Sequence, residues 1–87
     1  MLPMRAADPP AIQPARYSPE WVHDVTRYHA PDAEQISHIG YMRAAAESLI
    51  TTICEHTPKC ADREAAIRSV RMALMTANAA VMLRGLI

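Results

Sequence analysis

The chain has 87 residues, with nine basic and nine acidic side chains, a net charge of zero and 51% hydrophobic residues. That length holds one small domain with a modest core, and the even charge argues against a protein that wraps duplex DNA, which shows a basic footprint. Two cysteines are too few for a disulfide framework, and no apolar stretch is long enough to cross a bilayer.

Six of the seven prolines fall in the first 31 residues. Residues 1–17 carry no periodic pattern and read as an extended or disordered arm, with no apolar leader region. Residues 18–87 read as the folded domain. Within "SPEWVHDVTRYH", Ser18 is placed to cap a helix, Pro19 to occupy its first position and Glu20 to favour its N-terminal dipole. The predicted helix is short, from Pro19 to Arg27, and ends ahead of Pro31, which pushes Ala30 away from the α region.

"DAEQ" restarts the chain. Asp32 caps a second helix and Gln35 reaches back, the spacing of a capping box. Ile36, Ile39, Arg43, Ala46, Ile50 and Ile53 follow at steps of three and four, with Leu49 widening the stripe. This predicts an amphipathic helix of some 24 residues that ends near "EHTPKC". Gly40 inside it permits a bend or a close approach.

The third helix starts around residues 60–62, where Asp62 and Glu64 suit its N-terminal dipole. Ile67, Val70, Leu74, Ala77 and Val81 form a heptad-like seam, suited to antiparallel packing on the second helix. Gly85 is the expected C′ stop. Arg68, Arg71, Met75, Asn78 and Met82 form an opposite stripe beside Ala73, Ala79 and Ala80. Two helices cannot bury both stripes, so a second copy of the chain is expected to cover the other one. Asn78 fits either the fixing of register at that interface or a contact to a base or sugar.

The fold class expected is therefore all-α: a short N-terminal helix, then a long antiparallel helical hairpin, assembled into a homo-oligomer. Catalysis is not legible, because no nucleophile–base pair, paired-carboxylate or Glu-x-x-His pattern occurs. Cys54, His56 and Cys60 lack a fourth ligand for structural zinc, so no metal and no cofactor are expected, and Cys54 reads as core. Eight of the nine basic residues are arginine, which suits bidentate phosphate contacts. Tyr28 stands just before the second helix and Arg43 on its flank. A tyrosine face stacks on a nucleobase and an arginine fork takes a phosphate. Arg84, at the end of the third helix, either complements the helix dipole or, near a symmetry axis, surrounds an anionic ligand together with its copies.

Residues 29–31, Arg43, residues 57–58, the run 62–71, Met75 and residues 77–81 together resemble the phage anti-CBASS family of cyclic-oligonucleotide sponges. The resemblance covers residues 28–84 and leaves the proline-rich arm unmatched; Thr57 stands where that pattern has a cysteine. It implies a helical hexamer in the cytoplasm of an infected bacterial host. Such a protein sequesters cyclic di- and trinucleotides without cleaving them and blocks effector activation. On that resemblance Tyr28 and Arg43 are dinucleotide-binding residues between subunits, and Arg84 is a trinucleotide-binding residue near the symmetry axis. The competing expectation is a helical oligomerisation or protein-interaction module with no nucleotide ligand.

Overall fold

The structure, a computed structural model, describes residues 14–86. Among these residues it is all-helical, with three helices: α1 (Pro19–Thr26), α2 (Ala33–His56) and α3 (Ala61–Met82). The arm expected over residues 1–17 lies, up to residue 13, outside the described residues. Residues 15–18 form a turn closed by Ser18 N–H donating to the Ala15 carbonyl at 3.0 Å. Tyr17 takes φ 68° in it, the third turn position, where a type II turn requires positive φ.

Local signals set the helix ends. Ser18 Oγ accepts from the Trp21 N–H at 3.2 Å, and Pro19 follows in the first turn. Both halves of the capping box at α2 form: Asp32 Oδ1 accepts from Gln35 N–H at 2.7 Å, and Gln35 Oε1 accepts from Asp32 N–H at 3.0 Å. The end of α3 differs from the sequence expectation by one position. Leu83 is the C-cap; Arg84 N–H donates to the Val81 carbonyl and Gly85 N–H to the Ala80 carbonyl. These are the two bonds of a Schellman motif with Arg84, not Gly85, at C′. Arg84 accordingly sits in the left-handed region at φ 51°, and Gly85 follows at φ 79°.

Three side-chain hydrogen bonds fix how α2 and α3 lie together. Gln35 Nε2 donates to the Val81 carbonyl at 3.1 Å, Arg84 Nη2 donates to Asp32 Oδ2 at 3.2 Å, and at the other end Arg63 Nη2 donates to the Cys54 carbonyl at 2.8 Å. Low numbers on α2 meet high numbers on α3, so the two run antiparallel. The seam on α3 comprises Ile67, Val70, Leu74, Ala77 and Val81, all buried or half-buried, as the spacing predicts. The seam on α2 is rotated from the expected stripe. Gln35 and His38 are buried, and Ile39, Met42, Ala46, Ile50 and Ile53 are half-buried, while Ile36, Arg43 and Leu49 face outward. The cause is Gln35, which turns inward because it caps α2 with one end of its amide and satisfies an α3 carbonyl with the other.

This arrangement has very little interior. Among the described residues only Val81, 2% exposed, and Leu83 are buried hydrophobic side chains. The molecule measures 48 × 28 × 19 Å, and two helices of about 10–12 Å diameter already fill its shortest dimension. Cys54, expected in the core, is exposed, and both thiols are free. Its place on α2 faces away from the seam, and only its carbonyl is engaged, by Arg63.

Candidate functional site

Antiparallel packing brings the start of α2 and the end of α3 to one end of the molecule, and α1 joins them there. Trp21 Nε1 donates to the Leu86 carbonyl at 3.1 Å, which ties α1 to the segment after α3. Tyr17 meets the Trp21 ring edge-on at 5.2 Å, and the Arg16 guanidinium lies over both rings. Between these elements is a cavity of about 380 Å³, whose lining includes Asp24, Arg27, His29, Gln35, Arg84 and Leu86. A volume of that order suits a small organic ligand.

The polar groups of the cavity are already engaged with one another. Arg27 Nε stands 3.5 Å from Asp24 Oδ1, an i, i+3 pair at the end of α1. His29 Nε2 donates to the Asp24 carbonyl at 2.6 Å, closing the turn out of α1. Arg84 Nη2 donates to Asp32 Oδ2 at 3.2 Å while the other Asp32 oxygen holds the α2 cap. One carboxylate thus clips two helix ends that lie 52 residues apart in sequence. The cation of Arg84 also lies at the C-terminal end of α3, where the helix dipole favours it.

The three residues singled out in the sequence occupy different parts of one chain. Arg84 lines the cavity. Tyr28 lies between α1 and α2, outside the cavity lining and 83% exposed, free to stack on a ring. Arg43 is exposed on α2, eleven residues beyond Asp32, so about 16 Å further along the helix. A single chain therefore leaves Tyr28 and Arg43 apart, and unites Arg84 with Arg27, His29 and Asp24. Sequence reasoning passed over Arg27 and Asp24. The available signal was topological: a helix only six residues ahead of the start of α2 must lie near the end of α3 if the long helices run antiparallel.

A second surface feature runs along α3. Ser69, Met72, Ala73, Thr76, Ala77 and Ala80 line a broad, open concavity, and Met72 and Met75 are each 62% exposed. Of the stripe expected opposite the seam, Arg68, Arg71 and Met75 do face outward, but Asn78 and Met82 are half-buried. Asn78 Oδ1 is buried without a hydrogen-bond partner among the described residues, as is His38 Nε2, whose nearest carboxylate is Glu34 at 3.8 Å. The pairing of residue 35 with residue 81 sets 38 opposite 78, so the two orphaned groups share one level of the seam.

No group of three or more His, Cys, Asp or Glu residues suited to a metal ion occurs among the described residues. None of the described helices is long and apolar enough to cross a membrane. No protein-family model, curated protein or solved structure matches the chain.

Proposed function

We propose that this protein is a non-enzymatic sponge that binds cyclic oligonucleotide messengers intact, and that it does so as a homo-oligomer. It would act in the cytoplasm of a phage-infected bacterium, keeping the messenger from its effector. The motif resemblance over residues 28–84 suggests the ligand class and six copies. The observation that carries the reading is the place of Arg84, which lines the cavity beside Arg27, a planar guanidinium of the kind that takes a phosphate in bidentate fashion.

Self-association is supported by the poverty of the interior: among the described residues two hydrophobic side chains are buried and the rest of the seam is only half-buried, against a backbone entropy cost of roughly 1–2 kcal/mol per ordered residue. The outward-facing Ile36, Tyr41, Leu49, Met72 and Met75 supply the apolar area that neighbouring copies would bury. Assembly would also unite Tyr28 of one copy with Arg43 of another, making a dinucleotide pocket from residues that one chain holds apart.

Sequestration needs tight binding; nanomolar affinity corresponds to roughly −12 kcal/mol, within reach when two or more copies each offer a ring and an arginine. The test is a thermal-shift screen with cyclic di- and trinucleotides, followed by heat release and chromatography of the ligand. A 100-fold excess over Kd stabilises by about 2.7 kcal/mol, which reads as a rise in Tm of roughly 10–20 °C for a domain of this size. A sponge returns the ligand unaltered; an altered ligand means an enzyme. The groove along α3 favours a second reading, an interaction module that holds a partner helix, for which no cyclic nucleotide would move Tm.

A further inference from the structure

Both arginines of the cavity are held by carboxylates of this same chain, and one of them, Arg27, precedes the segment that carries the family resemblance. We propose that Arg27 and Arg84 form a joint cradle for phosphodiester groups, and that Asp24 and Asp32 act as resident counter-ions which a polyanionic ligand must displace. This rests on the proposed function and adds to it the selectivity of the Arg84 site.

The geometry favours exchange over permanent pairing. The two pairs are 3.5 Å and 3.2 Å long, looser than the 2.7–2.9 Å typical of charge-assisted hydrogen bonds. Each of the four side chains is between a third and just over half exposed, so water screens the attraction. A phosphodiester presents two non-bridging oxygens to the guanidinium fork and can make the bidentate contact that these carboxylates do not. Release need not loosen the fold. Asp32 keeps its cap on α2 through Oδ1, locked reciprocally by Gln35, and the turn at Asp24 is held through its carbonyl by His29.

The displaced carboxylates stay close and repel the incoming anion. A single phosphate gains one guanidinium contact against that repulsion, whereas a cyclic trinucleotide offers three linked phosphodiesters to one assembly. The carboxylates therefore discriminate against abundant monophosphates, using repulsion as well as attraction to set specificity.

The experiment is calorimetric titration of the full chain and two variants, Asp32→Asn and Arg27→Gln, with a cyclic trinucleotide, a cyclic dinucleotide, 5′-AMP and inorganic phosphate. Asparagine caps a helix as well as aspartate does, and Arg27 caps α1 through its backbone N–H. Circular dichroism checks that both variants keep wild-type helicity, and Asp32→Ser, another capping residue, replaces Asp32→Asn if it does not. Asp32→Asn is expected to bind trinucleotide about three- to tenfold more tightly, the scale of one exposed ion pair plus one removed like charge, and to bind 5′-AMP measurably. Arg27→Gln is expected to bind trinucleotide at least fivefold more weakly, while dinucleotide binding stays unchanged in both. Wild-type affinity for trinucleotide in either variant overturns the cradle and leaves the sponge standing. Absence of binding by every protein to every nucleotide overturns both.

Discussion

Arg84 allows a comparison in which stability and binding move in opposite senses. Two variants are needed, Arg84→Ala and Arg84→Gly. Both remove the ion pair to Asp32, which is about half exposed on each side and contributes about 0.2–1 kcal/mol. Both remove the guanidinium from the cavity. They differ in the backbone: at φ 51° alanine keeps the left-handed strain, while glycine relieves about 1 kcal/mol of it. In a helix interior glycine is the less stable of the two by roughly 0.5–1 kcal/mol; at this C′ position the order should reverse. Arg84→Gly is expected to be the more stable by about 1 kcal/mol, some 4–8 °C in Tm for a domain of this size. Arg84→Ala should lie slightly below wild type, and Arg84→Gly at or above it. Both should lose trinucleotide binding equally and keep dinucleotide binding. Thermal melts at one fixed protein concentration, with calorimetric titrations alongside, give all four comparisons; the concentration must be fixed because assembly contributes to Tm. Alanine as stable as glycine would refute the left-handed assignment. Unchanged trinucleotide affinity would refute the role of the side chain.

Gln35 is 3% exposed and bonds both the α2 cap and the Val81 carbonyl, so Gln35→Ala should cost about 2 kcal/mol in denaturant melts, roughly 1 for each bond. Tyr28→Ala removes an 83% exposed side chain; Tm should stay within the ±0.5 kcal/mol typical of surface changes, while dinucleotide affinity falls at least tenfold, the scale of one lost stacking contact. Met72→Glu combined with Met75→Glu sets charges on the exposed face of α3, and should lower the assembly mass seen by light scattering. Asn78→Leu removes a buried carbonyl oxygen that has no partner among the described residues. It should raise stability by about 1 kcal/mol and, if Asn78 fixes register, broaden the distribution of assembled species.

The helix boundaries were legible because caps are local. Ser18, Pro19 and the Asp32–Gln35 box act within a single turn, and the α3 seam repeats faithfully enough to read directly. The α2 seam was only partly legible. Periodicity put Ile36 in the apolar stripe and gave Gln35 only a capping role, but a hydrogen bond to a carbonyl 46 residues away draws residue 35 inward, and no local pattern encodes it. The end of α3 was misjudged by one residue for a related reason. Glycine is the favoured C′ residue, yet here the left-handed position falls to Arg84, whose side chain reaches Asp32 across the helix pair. Arg84 itself could be singled out in the sequence. Its cavity could not, since Arg27, Asp24 and His29 reach it only because the α2–α3 pairing and the Trp21 bond to the segment after α3 bring distant parts of the sequence to one end.

Native mass spectrometry of the protein, after mixing with a cyclic dinucleotide and a cyclic trinucleotide, bears most directly on whether copies of this chain hold messenger molecules between them. We expect a single species containing several 9.6 kDa chains, carrying both ligands at their unreacted masses. A bare 9.6 kDa chain, or ligand recovered heavier by the elements of water, would contradict the account.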